Sequence, residues 1–268
     1  MRTSDLRKLY LDYFVEHGHL LAPSASLIPF QDPSVLLTTA GMQQFQPYFL
    51  GLAEPPSKRL VSVQKCFRTS DIDKVGLTAR HCTFFEMLGN FSIGDYYKED
   101  AIRFAWDFSV NGLQFDSELI WISYFEGDES LDADEEAVQL WSKIGVPEER
   151  MVGLPRGENF WGPVGSSGPC GPCSELYYDR GKGHGCGSPD CRPGCDCDRF
   201  VEYWNLVFTG YNMDEKGILV PLPARNIDTG MGLERVAALK QEAPSVFLVD
   251  VFKPLIELGE NLAERRFG

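Results

Sequence analysis

Three groups of residues in this sequence have types and spacings suited to chemistry. In "CFRTSDIDKVGLTARHCTFFEM", Arg68 ends one strand-like stretch, Arg80 and His81 open the next, and Phe84, Phe85 and Glu86 follow. A guanidinium fork suits bidentate contact with phosphate, and an aromatic ring on the adjacent strand offers a face to a base. An exposed ion-pair ladder on a hairpin would carry the same residues. In "NIDTGMGLERVAAL", Asp228 reads as a turn residue beside two glycines that let a ligand approach the backbone, with Arg235 in the first turns of the helix that follows. A capped helix with a solvated arginine is the plainer alternative. In "HGCGSPDCRPGCDCD", Cys186, Cys191, Cys195 and Cys197 fall in one short loop, with His184 as an alternate ligand. Glycines and prolines allow the tight turns of a tetrahedral zinc site, and four protein ligands leave no open position for catalysis, so a structural Zn²⁺ is expected there. Unliganded thiols so exposed would oxidise readily.

These residues need a scaffold, and the composition supplies one. The chain has 268 residues, 43% hydrophobic and 24% charged, enough for one large core or two modest ones. No apolar run is long enough to span a bilayer, and the start reads as an amphipathic helix rather than a signal peptide, which places the protein in the cytoplasm. Disulfides are uncommon there, so the eight cysteines are expected to be thiols or metal ligands. A net charge of −14 works against a broad basic footprint on nucleic acid but leaves room for a local basic pocket. There is no GxxxxGK[ST], and "GMG" at 230–232 lacks the third glycine of a dinucleotide fingerprint.

Along the chain, the spacing of Leu6, Leu9, Tyr10, Tyr13 and Phe14 predicts a helix over 4–17, capped by Thr3 or Ser4 and ended by Gly18. "LLAPSASLIPF" and "SVLLTTAGM" read as short strands. "RLVSVQKCFRTSD" and "TARHCTFFEMLGNF" read as a long antiparallel hairpin, and "YYKEDAIRFAWDFSVNG" as a helix. "ELIWISYFEG", "DEEAVQLWSKIG" and "RMVGLP" read as a strand, helix and strand forming a small insertion. Residues 158–183 read as a glycine- and proline-rich loop, "RFVEYWNLVFTGYN" as a buried strand, "GILVPLPARNIDTG" as a segment ending in a turn, and the stretch from about Phe252 as a helix. Antiparallel strands interrupted by helices point to an α+β fold.

At this point a resemblance becomes specific. "FRTSD…RHCTFFEM" and "DTGMGLERVA" resemble motifs 2 and 3 of the class II aminoacyl-tRNA synthetases, and "LIPFQDPSVLLTTAGMQQFQPYFLG" resembles the motif 1 region. "TARH", "TFFEMLGNFSIGDYY", "GPCGP", "EYWNLVF" and "DTGMGLER" are similar to the alanyl-tRNA synthetases within that family, over essentially the whole chain. The resemblance implies the class II fold, an antiparallel β-sheet flanked by helices. Residues 1–241 would be the adenylate-forming catalytic domain, with the Cys-rich insertion at about 182–199, and 242–268 a helical segment leading toward a tRNA-recognition region. By the same resemblance Arg68 grips the ATP α-phosphate and the amino-acid carboxylate. Phe85 stacks on adenine with Arg235 over its other face, and Arg80 and His81 meet the outer phosphates. Trp161, Asn205, Val207, Asp228 and Gly230 surround the amino acid, with Asp228 pairing its ammonium group.

The reaction so implied joins alanine to ATP as alanyl-adenylate, with Mg²⁺, and releases pyrophosphate before transfer to tRNA(Ala); the branch also implies a monomer. Cys82 in "RHCT" stands where a histidine is expected. No HxxxH pattern of an editing domain occurs. The chain is therefore read as an activation unit or as a stand-alone paralogue with another acceptor. A zinc-containing binding module that has lost catalysis conflicts with Arg68, Phe85, Asp228 and Arg235 being intact. A thiol oxidoreductase using "CGPC" at 170–173 has the spacing but not the strand-then-helix context.

Overall fold

The computed structural model describes residues 1–29 and 35–267. The N-terminal half runs α1 (Thr3–Glu16), β1 (Leu20–Leu21), α2 (Gln46–Phe49), β2 (Arg59–Phe67), β3 (Phe84–Ile93), α3 (Lys98–Asp107) and β4 (Ile120–Phe125). Next come α4 (Glu135–Lys143), β5 (Met151–Leu154), α5 (Arg156–Asn159), β6 (Phe160–Trp161) and β7 (Gly168–Asp179). The chain finishes with β8 (Phe200–Met213), β9 (Leu219–Gly232), α6 (Leu233–Lys240) and α7 (Lys253–Ala263). The sheet order is β1-β2-β3-β9-β8-β7-β4-β5, with β6 paired to β7 off that path.

From β2 to β4 every neighbouring pair is antiparallel, as expected; the outermost pairs, β1 with β2 and β4 with β5, are parallel. The strand-helix-strand unit read as an insertion is therefore the continuation of the main sheet. Strand alternation divides the sheet into two faces. Trp204, Leu206 and Phe208 of β8 and Ile227 and Met231 of β9 join Leu6, Tyr10 and Phe14 of α1 in the main core. The residues between them, Asn205, Val207, Asp228 and Gly230, look the other way into a cavity. Truncating a core side chain such as Leu6 to alanine would cost about 2–5 kcal/mol.

Several elements differ from expectation for identifiable reasons. The N-terminus of α1 is not capped by Thr3 or Ser4. Instead the carboxylate of Asp250 accepts from the Thr3 amide at 3.2 Å and from the Thr3 hydroxyl, tying the two ends of the chain together. "SVLLTTAGM" yields no strand among its described residues; Gly41–Phe45 forms a 3₁₀ turn leading into α2. Part of the other expected strand and of the motif 1 stretch, residues 30–34, lies outside the described residues.

The supposed loop at 158–183 contains β7, twelve residues paired on both sides. Its glycine serves close approach. A Cβ on Gly171 would collide with the Phe208 carbonyl oxygen of β8, and the Gly-Pro pair falls where the register shifts between Cys170 and Cys173. "DTGMG" is likewise not a turn but the end of β9, with Asp228 opposite Val207 of β8 and Phe91 of β3.

Val246 and Val249 are buried and Asp250 caps α1, so the chain up to about residue 250 packs into this body. Helix α7 exposes Leu255, Leu258 and Leu262. No described helix is long and apolar enough to cross a membrane.

Candidate active site

The cavity, about 220 Å³, opens over the polar face of β3, β9, β8 and β7. All ten residues singled out from sequence for ATP or amino acid line it: Arg68, Arg80, His81, Phe85, Trp161, Asn205, Val207, Asp228, Gly230 and Arg235. Its floor is kept low by glycine. A Cβ on Gly230 would come within 2.9 Å of the Met87 sulfur, and one on Gly89 would enter the Phe91 ring.

Arg68 follows β2, where its amide donates to the Thr83 carbonyl at 2.8 Å. Its Nε donates to the Thr39 carbonyl at 3.0 Å, and its guanidinium carbon lies 5.2 Å from the Phe85 ring centroid. Arg80 and His81 do not open β3 but belong to the loop before it, since the strand begins at Phe84. Arg235, in the first turn of α6, donates from Nη1 to the Glu202 carboxylate at 2.6 Å and to the Glu202 carbonyl at 2.9 Å. Its neighbour Glu234 turns back to the sheet. Where β9 gives way to helix, the Glu86 amide of β3 loses its strand partner and donates to the Glu234 carboxylate at 3.0 Å. Glu86 in turn accepts a bidentate pair from Arg7 at 2.8 and 2.9 Å.

The electrostatics centre on buried carboxylates. Burial alone pushes Asp228 up to about 7. Glu234 is likewise pushed up to about 7, mainly by burial and against the pull of the Glu86 amide. Burial, then the charge of Glu202, holds Glu175 well above the usual carboxylate range. Its Oε1 accepts from Asn205 Nδ2 at 2.9 Å and so orients that amide toward the cavity. Asp228 is a buried acid without a cationic partner among the described residues, an arrangement suited to receiving a cation from outside. Arginines, an aromatic and a short glycine floor beside it suit a phosphate-bearing, ring-bearing ligand.

Glu175, Glu202 and Glu234 were not singled out from sequence. A carboxylate on a strand looks solvated until its neighbours are known; the available signal was a charged residue inside the apolar runs "SELYY" and "VEYWNLVF".

The four loop cysteines form one cluster. Cys186 and Cys195 sulfurs lie 3.6 Å apart, Cys191 and Cys197 sulfurs 3.5 Å, and all four lie within 4.8 Å of one another. Tetrahedral zinc with bonds of about 2.3 Å needs sulfurs about 3.8 Å apart, so the donor set fits Zn²⁺. His184 is not in the cluster. The loop is anchored by a bidentate pair from Arg199 to Asp179 at 2.8 and 2.7 Å. The remaining cysteines differ. Burial pushes Cys170 up to about 11, Cys66 and Cys82 up to about 12, and Cys173 well above the usual thiol range. Such thiols lack the low-pKa thiolate of a redox pair.

Comparison with known proteins identifies the family. The family model described as tRNA synthetases class II (A) matches residues 5–267. Curated relatives named "Alanine--tRNA ligase" from Leptospira biflexa and Dehalococcoides mccartyi are 53% and 52% identical over 99% of this chain, and one from Rubrobacter xylanophilus is 53% identical over 96%. The chain spans 29–30% of the length of those relatives. Among solved structures, a pyrrolysyl-tRNA synthetase from Desulfitobacterium hafniense has a TM-score of 0.50 at 12% identity, covering 91% of this chain and 70% of that one. An apo histidyl-tRNA synthetase from S. aureus has 0.50 at 14% identity, covering 90% and 66%. At such identities the likeness concerns the fold alone. With nearly its whole length matched by the family model, the chain belongs to the class II (A) tRNA synthetases.

Proposed function

We propose that the cavity activates L-alanine with ATP, giving alanyl-adenylate and pyrophosphate, and that the alanyl group then passes to tRNA(Ala). The observation that carries this is the meeting of Asp228, a buried carboxylate with no cationic partner among the described residues, with Arg68, Phe85 and Arg235 in a single cavity. Asp228 takes the alanine ammonium group. Val207 lies directly across the strand pair from Asp228, where Cβ atoms are about 5 Å apart, so with Trp161 it limits the amino-acid side chain to a small one. Asn205, held by Glu175, and the bare backbone at Gly230 complete the wall.

Arg68 binds the alanine carboxylate and the ATP α-phosphate, Phe85 and Arg235 take the two faces of adenine, and Arg80 and His81 meet the outer phosphates. The alanine carboxylate then attacks the α-phosphorus in line with the departing pyrophosphate. Positioning and fixed positive charge supply most of the acceleration. Bound Mg²⁺ would neutralise phosphate charge, and the carboxylates lining the cavity besides Asp228 are Glu175, Glu202 and Glu234. Zn²⁺ in the cysteine cluster would be structural. On this reading the adenylate-forming unit is the body ending near residue 250, rather than 241. Helix α7, with its exposed leucines, leads toward tRNA-recognizing parts.

The test is pyrophosphate exchange into ATP across a panel of amino acids. Exchange should depend on alanine; none with any amino acid would defeat the reading.

A further inference from the structure

We propose that the four-cysteine loop positions Arg80 for the outer phosphates of the nucleotide, acting through the Asp198 carboxylate and the Cys197 carbonyl. The proposal rests on the reading of the cavity as an ATP site and extends it to a part of the chain that touches neither substrate. Arg80 Nη1 donates to Asp198 Oδ1 at 3.1 Å and to the Cys197 carbonyl at 3.3 Å, and Nη2 lies 3.7 Å from Asp196. The hydrogen-bond partners are 117 and 118 residues away in sequence, on the far side of β7 in chain order. Arg80 itself lines the cavity.

Three features make this a positioning device. First, Cys197 supplies both a sulfur to the cluster and the carbonyl that Arg80 grips, so a bond that fixes the sulfur also fixes the carbonyl and the adjoining Asp198. Second, among the described residues only Nη1 of the guanidinium is hydrogen-bonded to the loop, with Nη2 at the longer ion-pair distance from Asp196, so donors of the fork remain for a ligand. Third, Asp198 keeps 44% of its side-chain surface exposed, and an ion pair so exposed adds little to fold stability. What it adds is orientation: an arginine already held in one direction loses less rotamer freedom when phosphate arrives. The root of the loop is itself braced by Arg199 on Asp179 and by the Arg180 amide on the Arg199 carbonyl at 2.9 Å.

The experiment is a double-mutant cycle on ATP affinity, measured by calorimetry on the whole chain, with zinc content determined for every variant. Asp198→Ala should weaken ATP binding about tenfold, the effect of losing one charge-assisted orientation, while alanine affinity changes less than about twofold. It should keep the zinc content of the unaltered chain, because all four thiols remain. In an Arg80→Ala background the same substitution should have no further effect on ATP, and Asp198→Glu should restore part of the loss. Removing zinc with a chelator should weaken ATP binding in the unaltered chain and not in Arg80→Ala. Equal losses in both backgrounds, or no loss on Asp198→Ala, would overturn the proposal. If the unaltered chain binds no ATP at all, the functional reading itself fails, and the proposal with it.

Discussion

Asp228→Asn should separate stability from function. Burial pushes the Asp228 carboxyl from an ordinary 3.8 up to about 7. Holding it ionised in the folded chain at pH 8 therefore costs on the order of 4 kcal/mol, about 3.2 pH units at 1.36 kcal/mol each. The sign follows from proton binding. Between pH 4 and 7 the folded chain holds the proton more tightly than the unfolded one, so stability is fullest below about 4, falls as pH rises to about 7, and is level above. An asparagine removes the ionisation cost but leaves a buried amide to satisfy, worth about 1–3 kcal/mol. The net gain at pH 8 is about 1–3 kcal/mol, or a few degrees in melting temperature for a chain of this size. On the proposed reading, the same substitution deletes the partner of the substrate ammonium. Losing one side of a buried charge pair costs about 2–5 kcal/mol, so alanine-dependent exchange should drop at least thirtyfold. Thermal melts at pH 4 and pH 8 and exchange rates at saturating ATP are sufficient. The stabilisation should be present at pH 8 and absent near pH 4. A variant less stable than the unaltered chain at pH 8, or one retaining alanine-dependent exchange within threefold, would refute the reasoning.

In the unaltered chain, alanine should bind about tenfold more weakly for each pH unit below about 7, because only the ionised carboxylate pairs with ammonium; a flat affinity between pH 5.5 and 7 would speak against Asp228 as the receptor. Since one methyl is worth roughly 1 kcal/mol, glycine should be activated only about fivefold less well than alanine, and serine measurably; exchange assays with each amino acid check this. Elemental analysis should find one zinc per chain, and Cys191→Ser should lower both zinc content and melting temperature. Gly171→Ala should destabilise by several kcal/mol in urea melts, because the added methyl has no room beside the Phe208 carbonyl and β7 must part from β8.

How far the sequence carries depends on where each signal resides. The β2–β3 hairpin and β8 are legible because they are rich in apolar, β-branched and aromatic residues broken by few polar ones, and α1 because Leu6, Tyr10 and Phe14 repeat every four residues. Strand β7 is hidden, because its opening "GPCGPC" has loop composition and becomes a strand only through two partners distant in sequence, one needing Gly171 for close approach. The end of β9 is hidden for the same reason. Arginines, Phe85 and Asp228 are legible through strings that resemble a known family, and the cysteine cluster through its spacing alone. Glu175, Glu202 and Glu234 are not, because their importance lies in what burial does to them and in contacts with Asn205, Arg235 and the Glu86 amide. The hold of Asp198 on Arg80 is a purely tertiary fact.

The central claim is that a single cavity receives alanine and ATP side by side and joins them. A non-hydrolysable sulfamoyl analogue of alanyl-adenylate, titrated by calorimetry, tests it most directly. The account predicts one site per chain, affinity well above that for either alanine or ATP, competition by both, and a large loss on Asp228→Asn and on Phe85→Ala. An analogue that binds no more tightly than ATP, or that only one of the two substrates displaces, would contradict it.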